Sequence, residues 1–485
     1  MSIKIYNTLT RQKEEFKPLK EGNVGMYVCG PTVYDAPHIG HARSAYVFDV
    51  IRRYLIYKGY KVKFVRNVTD IDDKIINKAK EEFKEENLNS AVKKVSDKYL
   101  EVYHKYMDDL GIACPDVEPK ATEYIDKMKE FIVVLIKREM AYESGGSVYF
   151  DVRKAPNYGK LSNQSFKMLE SGARISPEEN KKDPLDFALW KSAKEGEPSW
   201  PSPWGDGRPG WHIECSVMSL SILGDEFDIH GGGIDLIFPH HENEVAQSEG
   251  AGKGFARYWI HNGLLTINKE KMAKSLGNFV TIKEVLDRYS SDVLKTLFLK
   301  THYSHPVDFS WERIEENKIA LYGIIRFLRQ AERREAGKEA IVKIQDTNSN
   351  LNRLNFSEEI RKYKDRFIEA MDEDFNTPFA IACLFGIVRL CEGVLFYDTY
   401  VREKHLSILV AAKQAIQEIG GVLGLSFKEE LLTISVEDIE KSISLREGFR
   451  KDKMFKDADK IREELEEKGA ILKDSKDGRT DWDYK

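Results

Sequence analysis

The stretch from Val24 to Val68 constrains the fold most. Val24-Gly-Met-Tyr-Val28 is a short apolar run of strand character. Cys29-Gly-Pro-Thr-Val-Tyr-Asp-Ala-Pro-His-Ile-Gly-His41 follows it. From Ala42 to Tyr57, the residues Phe48, Ile51, Tyr54 and Leu55 recur at helical spacing. Lys61-Val-Lys-Phe-Val-Arg-Asn-Val68 reads as a second strand. Strand, helix and parallel strand make a βαβ unit, and such units bind ligands outside the carboxyl ends of their strands. Cys29, His38 and His41 therefore stand where chemistry would stand. Gly40 permits close backbone approach beside a helix N-terminus, which is a ready phosphate site.

A chain of 485 residues is too long for one compact core, so two to four domains are expected. A hydrophobic share of 41% with 32% charged residues is that of an ordinary globular chain. No apolar run reaches roughly 18 residues, so no transmembrane helix is expected. Met1-Ser-Ile-Lys-Ile-Tyr6 has no signal-peptide core. Five cysteines fit a reducing compartment, so a cytoplasmic location is expected. The formal net charge of −5 provides no global basic field, so a nucleic-acid partner would need local patches.

Asp72 to Leu110 reads as a long, charged helical region. A helix at Ala121 to Met140 and a hairpin strand at Gly145 to Val152 lead into a Pro/Gly/Ser-rich segment through Gly159, Pro177, Pro184 and Pro198. This has the pattern of an insertion between two halves of a parallel sheet. The α/β pattern resumes with a helix at Trp211 to Leu220 and a short strand at Phe227 to His230. Gly231-Gly-Gly233 reads as a turn, and Pro239 opens a helix from its first position. Tyr258-Trp-Ile-His261 begins the last strand of this half. Lys269-Glu-Lys-Met-Ala-Lys-Ser275 reads as a loop, followed by a helix carrying Val285, Val293, Leu294, Leu297 and Phe298. From Trp311 to about Leu425 the pattern is helical. One charged helix, Ile439 to Lys468, precedes a short strand at Ala470 to Leu472.

Four groups of residues could carry chemistry. His240 and Glu244 share a helix face; with Cys215 and Cys29 they offer two thiolates, an imidazole and a carboxylate, which suit tetrahedral zinc. A buried cysteine is as readily a small hydrophobe. His38 and His41 could donate to phosphate oxygens or simply cap the helix. Lys271 and Lys274 could close over a triphosphate, although isolated lysine pairs are usually solvated. His230-Gly-Gly-Gly233 imitates an esterase oxyanion loop, but no Gly-x-Ser-x-Gly elbow accompanies it.

Together these motifs resemble a known family. His38-Ile-Gly-His41 and Lys271-Met-Ala-Lys-Ser275 are similar to the paired phosphate motifs of class I aminoacyl-tRNA synthetases. Cys29-Gly-Pro-Thr-Val-Tyr-Asp35, Asn67-Val-Thr-Asp-Ile-Asp-Asp-Lys74, Pro209-Gly-Trp-His-Ile-Glu-Cys215, His230-Gly-Gly-Gly-Ile-Asp235, Phe238-Pro-His-His-Glu-Asn-Glu244 and Met371-Asp-Glu-Asp-Phe-Asn-Thr-Pro378 resemble the cysteinyl-tRNA synthetase family. The resemblance implies an α/β fold with a Rossmann-type parallel-sheet catalytic domain. That domain would occupy residues 1–114 and 204–263, split by an insertion at 115–203. A connecting fold at 264–310, a helical anticodon-binding bundle at 311–429 and a small C-terminal domain at 430–485 would follow. It also implies one zinc ion on Cys29, Cys215, His240 and Glu244. ATP with Mg2+ would meet His38, Gly40, His41, Asp235, Lys271 and Lys274. Thr69, Trp211 and His230 would line the pocket for L-cysteine. The implied partner is tRNA(Cys), and the expected state is a monomer. Two positions depart from the family pattern: Ala273 stands where serine is commoner, and Lys295 where arginine is.

The implied reaction is attack of the cysteine carboxylate on the α-phosphate of ATP, then transfer of the cysteinyl group to the tRNA 3′-terminal adenosine. The nearest rival is a ligase that passes cysteine to an amino sugar. The helical region from Trp311 onward would be surplus there. A non-catalytic tRNA-binding protein is the other alternative, and retention of both histidines, both lysines and four metal ligands speaks against it.

Overall fold

A computed structural model describes residues 2–168, 180–272, 277–336, 355–396, 402–428, 434–474 and 480–484. A short hairpin, β1 (Lys4–Asn7) and β2 (Gln12–Glu15), precedes the βαβ unit. That unit is β3 (Asn23–Val28), α1 (Ile39–Tyr57) and β4 (Lys61–Arg66), with β3 and β4 parallel from Asn23↔Lys61 to Val28↔Arg66. Val24, Met26 and Val28 bury towards α1, while Tyr27 and Val65 bury on the opposite face. The helix is apolar on most of its circumference because it lies between the sheet and the later helices.

The charged region after β4 is two helices, α2 (Asp73–Glu82) and α3 (Leu88–Asp109). Phe83 leaves helical geometry and Asn87 caps α3 by accepting from Asn89 and Ser90 N–H groups. Next come α4 (Ile125–Lys137) and an antiparallel sheet of β5 (Ala141–Ser144), β6 (Ser147–Phe150), β7 (Phe187–Ser192) and β8 (Gly207–Pro209), in that order. The chain returns through α5 (Trp211–Leu223), β9 (Phe227–Gly233), α6 (Glu242–Gly250) and β10 (Ala256–Asn262). The central sheet is parallel with order β10-β9-β3-β4.

One sequence expectation is corrected here. Gly231–Gly233 is not a turn: it extends β9 and pairs with Ile260, His261 and Asn262. Glycine is required because a Cβ at Gly231 would stand 2.3 Å from the Phe48 ring of α1. Pro239 does open a helical segment as expected: helical geometry begins at Pro239, passes through one π-helical turn ending at His241 and continues into α6. Phe238 is extended (φ −134°, ψ 132°), the conformation that a following proline favours.

Beyond β10, β11 (Leu265–Ile267), β12 (Glu270–Lys271) and β13 (Val307–Phe309) form a small sheet around α7 (Ile282–Leu286) and α8 (Ser291–Leu299). The single helix expected here is thus two, with Ser290 at the second N-cap. The bundle comprises α9 (Trp311–Glu335), α10 (Phe356–Asp372), α11 (Thr377–Glu392) and α12 (Arg402–Val422). Thr377–Leu395, with mean hydropathy 1.8, is long and apolar enough to cross a membrane, which the sequence reading overlooked. Here Ile381, Leu384, Ile387 and Cys391 are buried in the main core, with α11 packed against α10 and α12. The tail helix breaks at Lys453, whose φ is +62°, into α13 (Val436–Lys451) and α14 (Phe455–Glu467). Strands β14 (Ala470–Asp474) and β15 (Thr480–Tyr484) pair antiparallel and bury Leu472 and Trp482 in a separate small core.

Named contacts fasten these parts together. Buried Arg43 on α1 donates to the carbonyls of Gly263 (2.6 Å), Leu264 (2.5 Å), Tyr303 (3.1 Å) and His305. Asp374, between α10 and α11, accepts from Tyr6 N–H at 2.9 Å and the Tyr303 hydroxyl at 2.7 Å. Lys295 pairs with Asp292 at 3.0 Å and donates to the Gly424 carbonyl at 2.9 Å. The lysine that departs from the family pattern therefore makes a contact between α8 and the end of the bundle.

Gly231→Ala should destabilise the chain by about 1–3 kcal/mol, the usual cost of overpacking, seen as a lower urea midpoint. Trimming the opposing ring (Phe48→Leu) in the same chain should recover part of the loss. Additive losses would show that the two positions do not meet.

Candidate active site and metal centre

The carboxyl ends of β3, β4 and β9 converge on one cleft, because parallel pairing puts those ends side by side. Cys29 follows β3 directly, and its N–H donates to the Gly231 carbonyl at 3.0 Å. Cys215 comes from α5. His240, His241 and Glu244 come from the turn into α6 and its first residues. Cys29 Sγ lies 3.6 Å from Cys215 Sγ and 3.7 Å from Glu244 Oε1, and His240 Nε2 lies 3.1 Å from the same oxygen. Metal–ligand bonds of about 2.0–2.3 Å put tetrahedral donors roughly 3.3–3.8 Å apart. The spacing of this set is close to that of a tetrahedral site.

A second set shares two of these residues. Cys29 Sγ is 3.3 Å from His241 Nε2, and His230 Nε2 is 2.8 Å from Glu244 Oε2. Within each set, all four donor atoms lie within 4.8 Å of one another. Outer partners aim two of the imidazoles. His240 stacks on Trp211 at 4.2 Å and meets His212 through Nδ1 at 3.0 Å. His241 Nδ1 meets His261 Nε2 at 2.8 Å, and His261 Nδ1 meets the Thr8 hydroxyl at 2.8 Å. Such outer partners orient a ligand and set its tautomer.

Burial, then neighbouring Cys215 and Glu244, push the Cys29 thiol well above its ordinary pKa. Burial also raises Glu244 and lowers His240 and His241. The imidazoles are therefore already in the neutral form that ligates. The thiol and carboxylate would lose protons to a divalent cation. The donor set fits a metal ion with thiolate and imidazole affinity.

The same cleft, of about 550 Å³, is lined by Cys29, His38, Gly40, His41, Trp211 and Asp235. His38 is the N-cap of α1. Its Nδ1 accepts from Gly40 N–H at 3.1 Å, and His41 Nδ1 accepts from His38 N–H at 3.2 Å. The two rings stack at 3.8 Å. A Cβ at Gly40 would stand 2.8 Å from the His38 ring, so this capping arrangement needs glycine. Burial lowers His38 to about 4. Burial, with small contributions from His38 and Lys74, lowers His41 to about 3.

The remaining sequence-named residues divide. Trp211 is 37% exposed at the cleft. Thr69 and His230 are buried beneath it: Thr69 donates to Glu214 at 2.8 Å, and His230 bonds Glu244. Lys271 lies on β12, while its side chain and all of Lys274 and Ala273 fall outside the described residues. Sequence reasoning missed His212, His241, His261 and Glu214. His241 carried a signal, since it stands three residues before Glu244 on the same turn; His261 carried none, because only the β9–β10 pairing brings it near.

Residues 15–319 match the family described as the tRNA synthetases class I (C) catalytic domain, and residues 366–428 match the DALR domain. Over 503 aligned positions covering all of both chains, this sequence is 49% identical to the cysteine–tRNA ligase of Thermodesulfovibrio yellowstonii. The chain belongs to the cysteine–tRNA ligase family. The family's enzyme from Geotalea daltonii is 47% identical, again over the whole of both chains. A methionyl-tRNA synthetase of Mycobacterium tuberculosis, solved with methionyl-adenylate, shares the fold: TM-score 0.60 at 15% identity, covering 83% of this chain and 93% of that one. The class I α/β architecture expected from the resemblance is thus present, and the family's synthetase domain contains the whole cleft.

Both phosphate-motif imidazoles should be neutral at pH 7. On acidification the unfolded chain takes up their protons near pH 6.5, before the folded rings do at about 4 and about 3. Stability therefore falls with pH across that window. Histidine Cε1–H resonances of His38 and His41 should stay flat from about pH 8 to pH 5; midpoints near 6.5 would show solvated rings.

Proposed function

We propose that this chain activates L-cysteine with ATP and transfers it to the 3′-terminal adenosine of tRNA(Cys), with Cys29, Cys215, His240 and Glu244 holding one zinc ion beside the amino-acid pocket. The observation that carries this reading is a single loop, Cys29 to His41, which supplies a metal-type thiol at one end of the cleft and the paired histidines at the other. Between the two alternative ligand sets, the one with two thiols is preferred because thiolates favour zinc most strongly.

Neither step needs a protein nucleophile. In the first, a substrate carboxylate oxygen attacks the α-phosphorus and the bond to pyrophosphate breaks. In the second, a ribose hydroxyl attacks the cysteinyl carbonyl and AMP leaves. Catalysis is positioning and charge stabilisation. His38, His41 and the α1 N-terminus would contact phosphate, with Gly40 giving the approach. Lys271 and Lys274 would stabilise the departing pyrophosphate together with Mg2+. Asp235, at the rim, would hold the substrate amino group or ribose. Trp211 would face the substrate directly, while Thr69 and His230 would act through Glu214 and Glu244.

Serine is nearly isosteric with cysteine, and shape separates such pairs by only ~1–3 kcal/mol. A zinc ion bound at this set would favour thiolate over hydroxyl and lower the thiol pKa. No separate editing domain is then needed. We also propose the division into a catalytic domain at 1–114 and 204–263, an insertion at 115–203, a connecting fold at 264–310, an anticodon-binding bundle at 311–429 and a C-terminal domain at 430–485, acting as a monomer.

The purified chain should catalyse cysteine-dependent ATP–pyrophosphate exchange and charge tRNA(Cys); exchange without charging would point to a small-molecule acceptor instead. Lys274→Ala should slow adenylate formation by roughly 100- to 1000-fold and leave cysteine binding nearly unchanged. Chelation, or Cys215→Ser, should remove stoichiometric zinc by metal analysis and erode the preference for cysteine over serine. A preference that survives complete zinc loss would refute zinc selection.

A further inference from the structure

Two cations on the β4 side of the cleft have no counter-ion among the described residues. Arg66 ends β4 and lines the cleft although only 4% of it is exposed. Its guanidinium lies 5.1 Å over the Phe64 ring and donates to the Tyr103 hydroxyl. Lys74, exposed on the first turn of α2, also lines the cleft, with Nζ 5.3 Å from the Tyr34 ring. Among the described residues, neither has a carboxylate within 4.0 Å.

The nearby carboxylates are committed elsewhere. Asp35 accepts from Ala36 N–H at 2.8 Å, and Asp70 accepts from the Thr122 N–H at 3.0 Å and its hydroxyl at 2.5 Å. Asp72 caps α2 through the Lys74 N–H at 2.9 Å, and Asp73 pairs with Lys191 at 2.9 Å and with Arg208. Two other buried arginines have strong partners: Arg43 donates to four carbonyls, and Arg446 pairs with Asp474 at 2.8 Å. Burying a guanidinium without a counter-charge is costly unless something supplies one. Arginine and lysine converging on an open cleft are the donors that a phosphate takes.

Position selects which phosphate. The lysine loop approaches the N-terminus of α1: Met272 reaches within 3.5 Å of where a Cβ on Gly40 would stand, and Phe279 packs 5.2 Å from His38. Arg66 ends the edge strand β4 and Lys74 follows it on α2, beside His41. We infer that Arg66 and Lys74 form a phosphodiester subsite that seats the 3′-terminal phosphate of the acceptor strand for the transfer step. The inference rests on the synthetase reading and adds to it a docking point for the second substrate.

The test separates the two half-reactions in the full-length, zinc-loaded enzyme. Lys74→Gln and Arg66→Gln should leave cysteine-dependent pyrophosphate exchange within about threefold of wild type. Transfer from preformed cysteinyl-adenylate to tRNA should slow at least about tenfold, as expected for loss of a charged hydrogen bond. Arg66→Lys should restore part of the rate. The log–log salt slope of tRNA binding should fall by roughly 0.7–0.9 for each cation removed. Parallel loss of exchange and transfer in Lys74→Gln, whose side chain is exposed and not needed for folding, would assign the pair to ATP and overturn the inference. So would unchanged transfer in both variants. Absence of exchange in the wild-type chain would instead overturn the synthetase reading on which it rests.

Discussion

Everything at the site depends on the parallel ladder between β3 and β9. Met26, Tyr27 and Val28 stand opposite Ile229, His230 and Gly231, and the next rung is the Cys29 N–H on the Gly231 carbonyl. A one-residue slip would turn every side chain of either strand to the other face. In the observed register, Cys29 leaves the sheet beside the turn that carries His240, His241 and Glu244. The ladder can hold that register only because Gly231 leaves room for Phe48 on α1. Sheet packing and cluster geometry are therefore one constraint.

The cluster is buried, so its polar atoms must be satisfied inside the protein. Several histidines do this work in layers. His212 and His261 occupy the outer nitrogens of His240 and His241, and Thr8 closes the second chain. Thr8 follows β1, and the neighbouring Tyr6 N–H is held by Asp374 of the bundle. The supports of the candidate metal cluster thus extend to the junction between the central sheet and the helices after it. The Lys295–Asp292 pair joins α8 to Gly424 in the same way. A buried ion pair of this kind adds more to the uniqueness of a junction than to net stability.

The site was legible where chemistry is carried by a short word in the chain. Cys29, His38 and His41 sit on one loop, and His240 and Glu244 are four apart, so their proximity is local. Cys215 required the topology, although its helix lay at the expected place. The glycine triplet misled because three successive glycines read locally as a turn, whereas a tertiary contact with Phe48 is what demands glycine. The helix opening at Pro239 was legible because proline favours an extended residue before it, here Phe238, and suits the first helical position itself. The breaks at Phe83 to Asn87 and at Lys453 carry no strong punctuation in the sequence, so two long helical patterns became four helices.

Residue order alone determined the parallel α/β class, the histidine loop at the start of α1 and the donor types available for a metal, since these follow from periodicity, glycine placement and side-chain chemistry over a few residues. Tertiary structure alone decided that His241 and His230 offer a second, overlapping ligand set, that His261 and Thr8 stand behind it, and that Arg66 and Lys74 face the cleft with no counter-ion among the described residues. Those facts depend on which strand edges and helix ends meet across hundreds of residues, and contact at such separation is set by packing and register rather than by any local pattern.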